Sequence, residues 1–237
     1  MNKVSKTILM LLIVILAISS YFFIKELVKN KKETDIFDDL QEIVENPENT
    51  YNLENIAKIN SDIIGWIKID GTNIDYPIMQ NGDYYLHKDI YKNYSSHGTP
   101  YLAPFCNVKK SDNLIIYGHH MKDNTMFSQL EKYKNYNFYL NHKYIKFFTI
   151  EDGKTIENNY EVMIAFKTIA YSDEGFRYYS YTDFQNYEDY EEFVENCRKL
   201  EFYYTGVVGT HQDKYITLST CEYSQKNGRM VVVAKKV

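Results

Sequence analysis

The spacing of apolar residues along this chain changes twice, and each regime predicts a different kind of element. From Ile8 to Ile24 run 17 uncharged, mostly apolar residues, which as a helix cover about 26 Å, close to the thickness of a hydrocarbon core. From Glu33 to Glu45 the apolar positions thin out to Ile36, Phe37, Leu40, Ile43 and Val44, the spacing of one helix face. Asn46-Pro47-Glu48-Asn49 is expected to stop that helix, because proline has no amide hydrogen and disfavours helical geometry in the residue before it. A short second helix is expected from about Leu53 to Asn60.

The period then drops to two. Ile64 to Ile69 alternates, Asp70-Gly71 reads as a turn, and Ile74 to Met79 resumes the alternation, so the body opens as β structure. Tyr84 to Leu86 and Lys92 to Gly98 read as turn and loop. Further strands are expected at Thr99–Ala103, Leu114–Tyr117, Tyr144–Ile150, Tyr160–Ala170, Lys214–Thr220 and Arg229–Lys235. Helical spacing returns at Asn124–Tyr133, through Met126, Phe127, Leu130 and Tyr133, and at Asn186–Leu200, through Tyr190, Phe193, Val194 and Cys197. About eight strands with few helices predict a mainly β chain folded as a closed or nearly closed barrel, with one helix inserted before the penultimate strand.

Composition narrows the classes. The chain has 237 residues, 44% of them hydrophobic, enough for one well-filled core. A net charge of -5 and no long basic cluster in the body exclude nucleic acid as the main partner. The N-terminal apolar run reads as an uncleaved membrane anchor. Ala17-Ile18-Ser19 offers a signal-peptidase site, but the run continues through Tyr21-Phe22-Phe23-Ile24. Lys3 and Lys6 precede the span while Lys25, Lys29, Lys31 and Lys32 follow it, against the usual excess of positive charge on the inside. Charge therefore does not set the orientation, and the signal-like position of the segment points to export of the body.

Three cysteines, Cys106, Cys197 and Cys221, leave at least one unpaired within the chain. Cys106 and Cys197 read as small buried hydrophobes. No Cys-x-x-Cys or paired Cys/His spacing occurs, so no metal and no cofactor are expected. Cys221 is different. It ends the alternating run Tyr215 to Cys221 and is followed by a polar turn, then Arg229 and the apolar run Met230 to Ala234. A hairpin would set a thiol and a guanidinium facing each other at a rim. Arginine occurs only three times, at Arg177, Arg198 and Arg229; one opening the strand after Cys221 suggests a use for a planar, permanently charged fork, such as holding the negative oxygen formed when a thiolate attacks an amide. Of the six histidines, Gly118-His119-His120 directly follows an apolar strand. Imidazole titrates near neutrality, and the glycine permits a sharp exit. Spacing alone does not choose between His119 and His120.

These residues carry a resemblance. Tyr117-Gly118-His119-His120-Met121 with Asn124-Thr125-Met126-Phe127, then Thr217-Leu218-Ser219-Thr220-Cys221, then Arg229 to Ala234, together resemble a class B sortase, as do Asn60 to Trp66 and the helix at Asn186–Leu200. The similarity covers about Asn60 to Val237. It implies an eight-stranded sortase-type barrel carrying a cysteine transpeptidase on the outer face of a Gram-positive cell membrane. It also implies that the histidine directly after the glycine, His119, is the acid/base, with Cys221 as nucleophile and Arg229 as oxyanion partner. The substrates implied are surface proteins with a C-terminal sorting signal, NPxTN-like or S/PPxTG-like, cut after Thr through a thioester and passed to a peptidoglycan amine. Tyr117, Ser219, Thr220 and Glu222 are placed around the sorting peptide, with Leu86 and Tyr179 as further contacts. Where some relatives have Asp two residues after the cysteine, this chain has Tyr223, so the resemblance carries no carboxylate to that position.

The resulting division is an anchor with basic flank at 1–32, a helical lead-in at 33–59 and a catalytic barrel at 60–237. Two other functions compete. A pilus-polymerising sortase is expected to carry an N-terminal lid motif and often a second, C-terminal span, and no apolar run of that length follows Ala234. A non-catalytic surface-binding module would use the 24 tyrosines, although tyrosine also packs cores and rims with its hydroxyl wet.

Overall fold

The computed structural model describes residues 3–45, 51–171 and 174–237. The chain divides into a helical N-terminal unit ending at Asp39 and a body from Leu40 to Val237. The two apolar patterns near the N-terminus are carried by one helix, α1, Lys3–Val44. No glycine or proline interrupts it, and lysine is a good helix former, so the basic flank does not break it. Its apolar part is long enough to cross a membrane. The expected stop at Asn46-Pro47-Glu48-Asn49 lies outside the described residues. Within the body, Leu40 and Val44 are fully buried and Gln41 donates to the Asp75 carbonyl at 2.9 Å. The next helix, α2, spans Glu54–Ile59.

Eight strands then close into a barrel: β1 Ile63–Lys68, β2 Asp75–Met79, β3 Tyr101–Leu102, β4 Asn113–Tyr117, β5 Tyr144–Glu151, β6 Lys154–Ile169, β7 Tyr215–Glu222 and β8 Gly228–Lys236. Their order around the barrel is β1-β2-β3-β4-β7-β8-β6-β5, and β5 pairs with β1 to close it. The β2–β3 and β4–β7 pairs are parallel and the others antiparallel. Closure leaves no free sheet edge among these strands. Trp66, Ile67, Ile78, Ile116, Phe147, Ile164, Phe166, Leu218 and Val232 have no exposed surface, so the strands read from the sequence supply the core; burial is not strictly alternating, since neighbours such as Trp66 and Ile67 are both covered. A short helix α3, Tyr136–Asn141, precedes β5, its amides capped by the Asn135 side chain. A longer helix α4, Tyr187–Leu200, lies between β6 and β7 in the chain and is capped by the Asn186 side chain, which accepts from the Asp189 N–H.

Two local expectations change. The stretch Asn124–Tyr133 is not an α-helix: a 3₁₀ helix begins only at Ser128 and runs to Lys134, while Asn124 and Met126 adopt left-handed backbone at φ 64° and 54°. Tertiary bonds take the donors a helix would have used, because Met126 N–H donates to the Tyr76 hydroxyl and Phe127 N–H to the His119 carbonyl. Met126, Phe127, Leu130 and Tyr133 are nonetheless all buried. The other change is that β6 begins at Lys154 rather than Tyr160; residues 154–159 pair with β5 but are polar except for Ile156, so apolar alternation could not mark them.

Candidate active site

The ends of β4 and β7 and the start of β8 meet at one rim of the barrel. Because β4 and β7 are parallel, Tyr117 pairs with Ser219, and the Gly118 N–H donates to the Ser219 carbonyl at 3.1 Å. The residues leaving β4, Gly118 and His119, therefore lie beside those ending β7, Thr220 and Cys221. β8 runs antiparallel to β7 and sets Arg229 directly opposite Cys221; such partners share a face, with β-carbons about 4.5–5.5 Å apart. Gly118 is required by close approach, since a β-carbon there would come within 2.6 Å of the Phe127 ring. Phe127 thus packs under the loop that carries the histidines.

A cleft of about 170 Å³ opens at this rim, and Leu86, Tyr117, His119, Ser219, Thr220, Cys221 and Arg229 line it. Tyr101 and Tyr171 line it as well. Larger cavities lie elsewhere, about 720 Å³ between the 174–183 segment and α4 and about 400 Å³ at the opposite end of the barrel, and neither is lined by a cysteine or a histidine. Size therefore does not locate the chemistry here; the thiol, imidazole and guanidinium converge on the small cleft.

The structure separates the two histidines. His119 lines the cleft, and its Nε2 lies 2.7 Å from the Leu86 carbonyl. A carbonyl only accepts, so Nε2 carries the hydrogen and Nδ1 remains to exchange a proton. Burial pushes the His119 pKa below its ordinary value; the Leu86 carbonyl opposes this, and the nearby His87 and His97 reinforce it. His120 turns the other way and donates from Nδ1 to the Cys221 carbonyl at 2.8 Å.

Cys221 is half-buried, whereas Cys106 and Cys197 are buried. Burial pushes the Cys106 thiol up to about 11 and the Cys197 thiol well above its ordinary value, which leaves both protonated and inert near neutrality. The Arg229 guanidinium carbon lies 5.8 Å from the centroid of the Tyr171 ring, within cation–π range. Thr220 is 2% exposed, and its Oγ1 has no hydrogen-bond partner among the described residues. The Ser219 hydroxyl, by contrast, is 2.6 Å from the Tyr178 hydroxyl. Burial pushes the Tyr101 phenol up to about 12 and Tyr117 higher still, so both remain hydroxyls able to donate.

Two residues expected around the peptide do not line the cleft. The Glu222 carboxylate is buried; Lys134 lies 3.0 Å from its Oε1, and Ser224 donates to its Oε2 through N–H and hydroxyl. Burial alone would raise its pKa, but the bonds from Ser224 and Lys134 outweigh it and hold the carboxyl below the usual range. Glu222 thus fastens the β7 end to the 3₁₀ helix. The Tyr179 ring packs against Tyr171, with centroids 5.9 Å apart. Sequence reading missed Tyr101 and Tyr171. The β3 strand containing Tyr101 was legible, but its neighbours were not, because a mixed parallel and antiparallel order is not written in local periodicity. Tyr171 directly follows the expected strand Tyr160–Ala170, with nothing in the local pattern to distinguish it.

Comparison with known proteins identifies the family and the fold. The Sortase domain family model matches residues 67–237. Sortase B of Staphylococcus aureus (strain NCTC 8325 / PS 47) is 35% identical over 248 residues, covering 99% of this chain and 97% of that protein. Among solved structures, the Staphylococcus aureus sortase B–substrate complex superposes with a TM-score of 0.76 at 33% identity, covering 89% of this chain and 98% of that one. A sortase B complexed with triglycine gives 0.69 at 34% identity, covering 90% and 97%. The chain belongs to the sortase family, in class B, and is a cysteine transpeptidase of the kind that anchors surface proteins.

Proposed function

We propose that Cys221, His119 and Arg229 carry the transpeptidation and that the chain cuts a C-terminal sorting signal, NPxTN-like or S/PPxTG-like, after its threonine. The observation that carries this reading is the direct pairing of Cys221 with Arg229 across β7 and β8, with His119 lining the same cleft. The Cys221 sulfur adds to the threonine carbonyl carbon while His119 takes the thiol proton at Nδ1. Arg229, together with a backbone N–H beside Cys221, holds the negative oxygen. The C–N bond then breaks, the departing amine takes the proton from His119, and a thioester remains. An amine of a cell-wall peptide attacks the thioester, forms the new amide and returns the thiol.

Leu86, Tyr117, Ser219 and Thr220 flank the peptide in this reading, and the Thr220 hydroxyl is the donor left open for it. Tyr179 acts through Tyr171, and Glu222 contributes through its backbone. The substrate-bound and triglycine-bound relatives support a peptide and an amine as the two partners. Residues 1–32 serve as the anchor, 33–59 as the lead-in and 60–237 as the catalytic barrel, which stands outside the cell where both partners are found. The membrane-length apolar part of α1 supports a single N-terminal span.

The test is a panel of NPxTN-, SPxTG- and PPxTG-like peptides offered with triglycine or a peptidoglycan stem peptide, with products sequenced by mass spectrometry. Cleavage after Thr, amide transfer to the added amine and complete loss in Cys221→Ala are expected. Cleavage that persists in Cys221→Ala sinks the reading.

A further inference from the structure

The cleft has two walls that belong to different parts of the chain. One is the loop leaving β4, which carries His119. The other is the end of β7 with its turn into β8, which carries Cys221 and Arg229. The Gly118 to Ser219 backbone bond ties the walls at the barrel rim, but His119 and Cys221 lie beyond that tie. Two further side chains span the gap in opposite directions. From the histidine loop, His120 donates from Nδ1 to the Cys221 carbonyl at 2.8 Å. From the cysteine side, Tyr223 donates its hydroxyl to the His120 carbonyl at 3.0 Å. The rings of His120 and Tyr223 lie 5.0 Å apart at 51°, so Tyr223 both bonds to His120 and packs on its ring, while His120 bonds back to the strand end that carries Tyr223.

We propose that His120 and Tyr223 form a reciprocal clamp that fixes the spacing of His119 and Cys221, and that both are positioning residues for the transpeptidation. Each bonds to a backbone carbonyl one peptide unit or less from a reacting residue: His120 to Cys221 itself, and Tyr223 to the residue after His119. Proton transfer between a thiol and an imidazole needs heavy-atom approach of hydrogen-bond length, and a small misplacement costs rate steeply. A clamp on the backbone holds that distance without occupying the cleft, and neither His120 nor Tyr223 lines it. The clamp also gives a use to the position two after the cysteine. In this chain it holds a phenol whose hydroxyl reaches across to the other wall, and Tyr223 is 71% exposed, which is no core packing role. His120 is the residue that left the histidine pair ambiguous in the sequence; its neighbour faces the cleft while it faces the backbone of the nucleophile.

The proposal rests on Cys221 and His119 being the reacting pair, and the experiment separates the two. The full-length protein is compared with His120→Phe, which keeps a ring and removes the donor, with Tyr223→Phe, which removes only the hydroxyl, with the double variant, and with His119→Ala. Turnover is expressed per titrated Cys221 thiol, and thermal melting checks folding. Loss of one net hydrogen bond predicts a fall in kcat of about threefold to tenfold in each single variant, with KM within about twofold. The double variant is expected to be no slower than about the slower single one, because either loss opens the same clamp.

Unchanged kcat in both single variants, a loss that appears in KM alone, or full additivity in the double variant would overturn the clamp. If only the melting temperature falls while turnover per thiol holds, the pair is structural and the proposal fails. Activity that survives His119→Ala instead sinks the assignment of the reacting pair, whatever the clamp variants do.

Discussion

The two ends of the β4–β7 pair are made of similar residues put to opposite use. At the starting end, Asn113 is fully buried and paired through both its amide nitrogen and its oxygen: its side chain donates to the Tyr181 carbonyl at 2.9 Å and accepts from the Thr217 hydroxyl at 2.8 Å. At the other end, Thr220 is almost as buried, but its hydroxyl has no partner among the described residues, and beside it lie a half-buried thiol and an imidazole with one nitrogen uncommitted. A buried polar group without a partner costs about 1–3 kcal/mol. The stable end therefore holds the barrel, while the rim carries unsatisfied polarity that a bound peptide can complete. Polar groups that fold a protein are paired within it; those that react or recognise are left partly open.

The sharpest contrast lies in the groups proposed to react. Cys221→Ala is expected to abolish peptide cleavage, whereas Cys106→Ala, at a thiol buried in the connection between β3 and β4, leaves turnover per folded molecule unchanged; activity assays paired with thermal melting check both. Arg229→Lys keeps the charge but loses the planar fork, and a fall in kcat of about 10²–10³ is expected from loss of an oxyanion donor, with a much smaller change in KM. Equal loss in both would assign Arg229 to binding.

Smaller effects distinguish the two threonines. Thr217→Val removes the partner of a buried amide oxygen and is expected to cost about 1–3 kcal/mol of stability by denaturant unfolding, with kcat of the folded enzyme unchanged. Thr220→Val removes a hydroxyl that already lacks a partner, so stability holds or rises while kcat/KM falls. If both behave alike, the distinction between a paired and an open end is wrong.

The smallest effect is in pH. The His119 pKa is held below its ordinary value of 6.5, so the neutral imidazole is favoured by folding. Its contribution is complete above 6.5 and is lost as pH falls through the lower folded value. The acid limb of kcat/KM is therefore expected below 6.5. His87→Ala, which removes one of the repelling imidazoles, should move that limb upward.

Much of this was legible in the chain. The apolar, β-branched runs around Trp66, Ile116 and Leu218 name core strands even though adjacent residues such as Trp66 and Ile67 are both buried, because short apolar runs of this length suit strands covered on both faces. Cys221, Arg229 and Gly118-His119 stood out because their chemistry is rare in this composition. What stayed hidden was non-local. Nothing near Glu222 in sequence announces Lys134, 88 residues away, and nothing at His120 points to Tyr223. Met126 and Phe127 kept their buried faces but lost their helix to bonds with Tyr76 and His119. Local pattern predicts which residues are buried better than which backbone bonds they make.

The central claim is that Cys221 becomes acylated by the sorting peptide. The most direct measurement is intact-protein and peptide-mapping mass spectrometry of the enzyme mixed with a sorting peptide and no added amine. The expected result is an adduct equal to the peptide up to its threonine, located on Cys221, discharged by hydroxylamine or triglycine and absent from Cys221→Ala. Peptide cleavage at full rate with no adduct on Cys221 under any quench, or an adduct located on another residue, would contradict it.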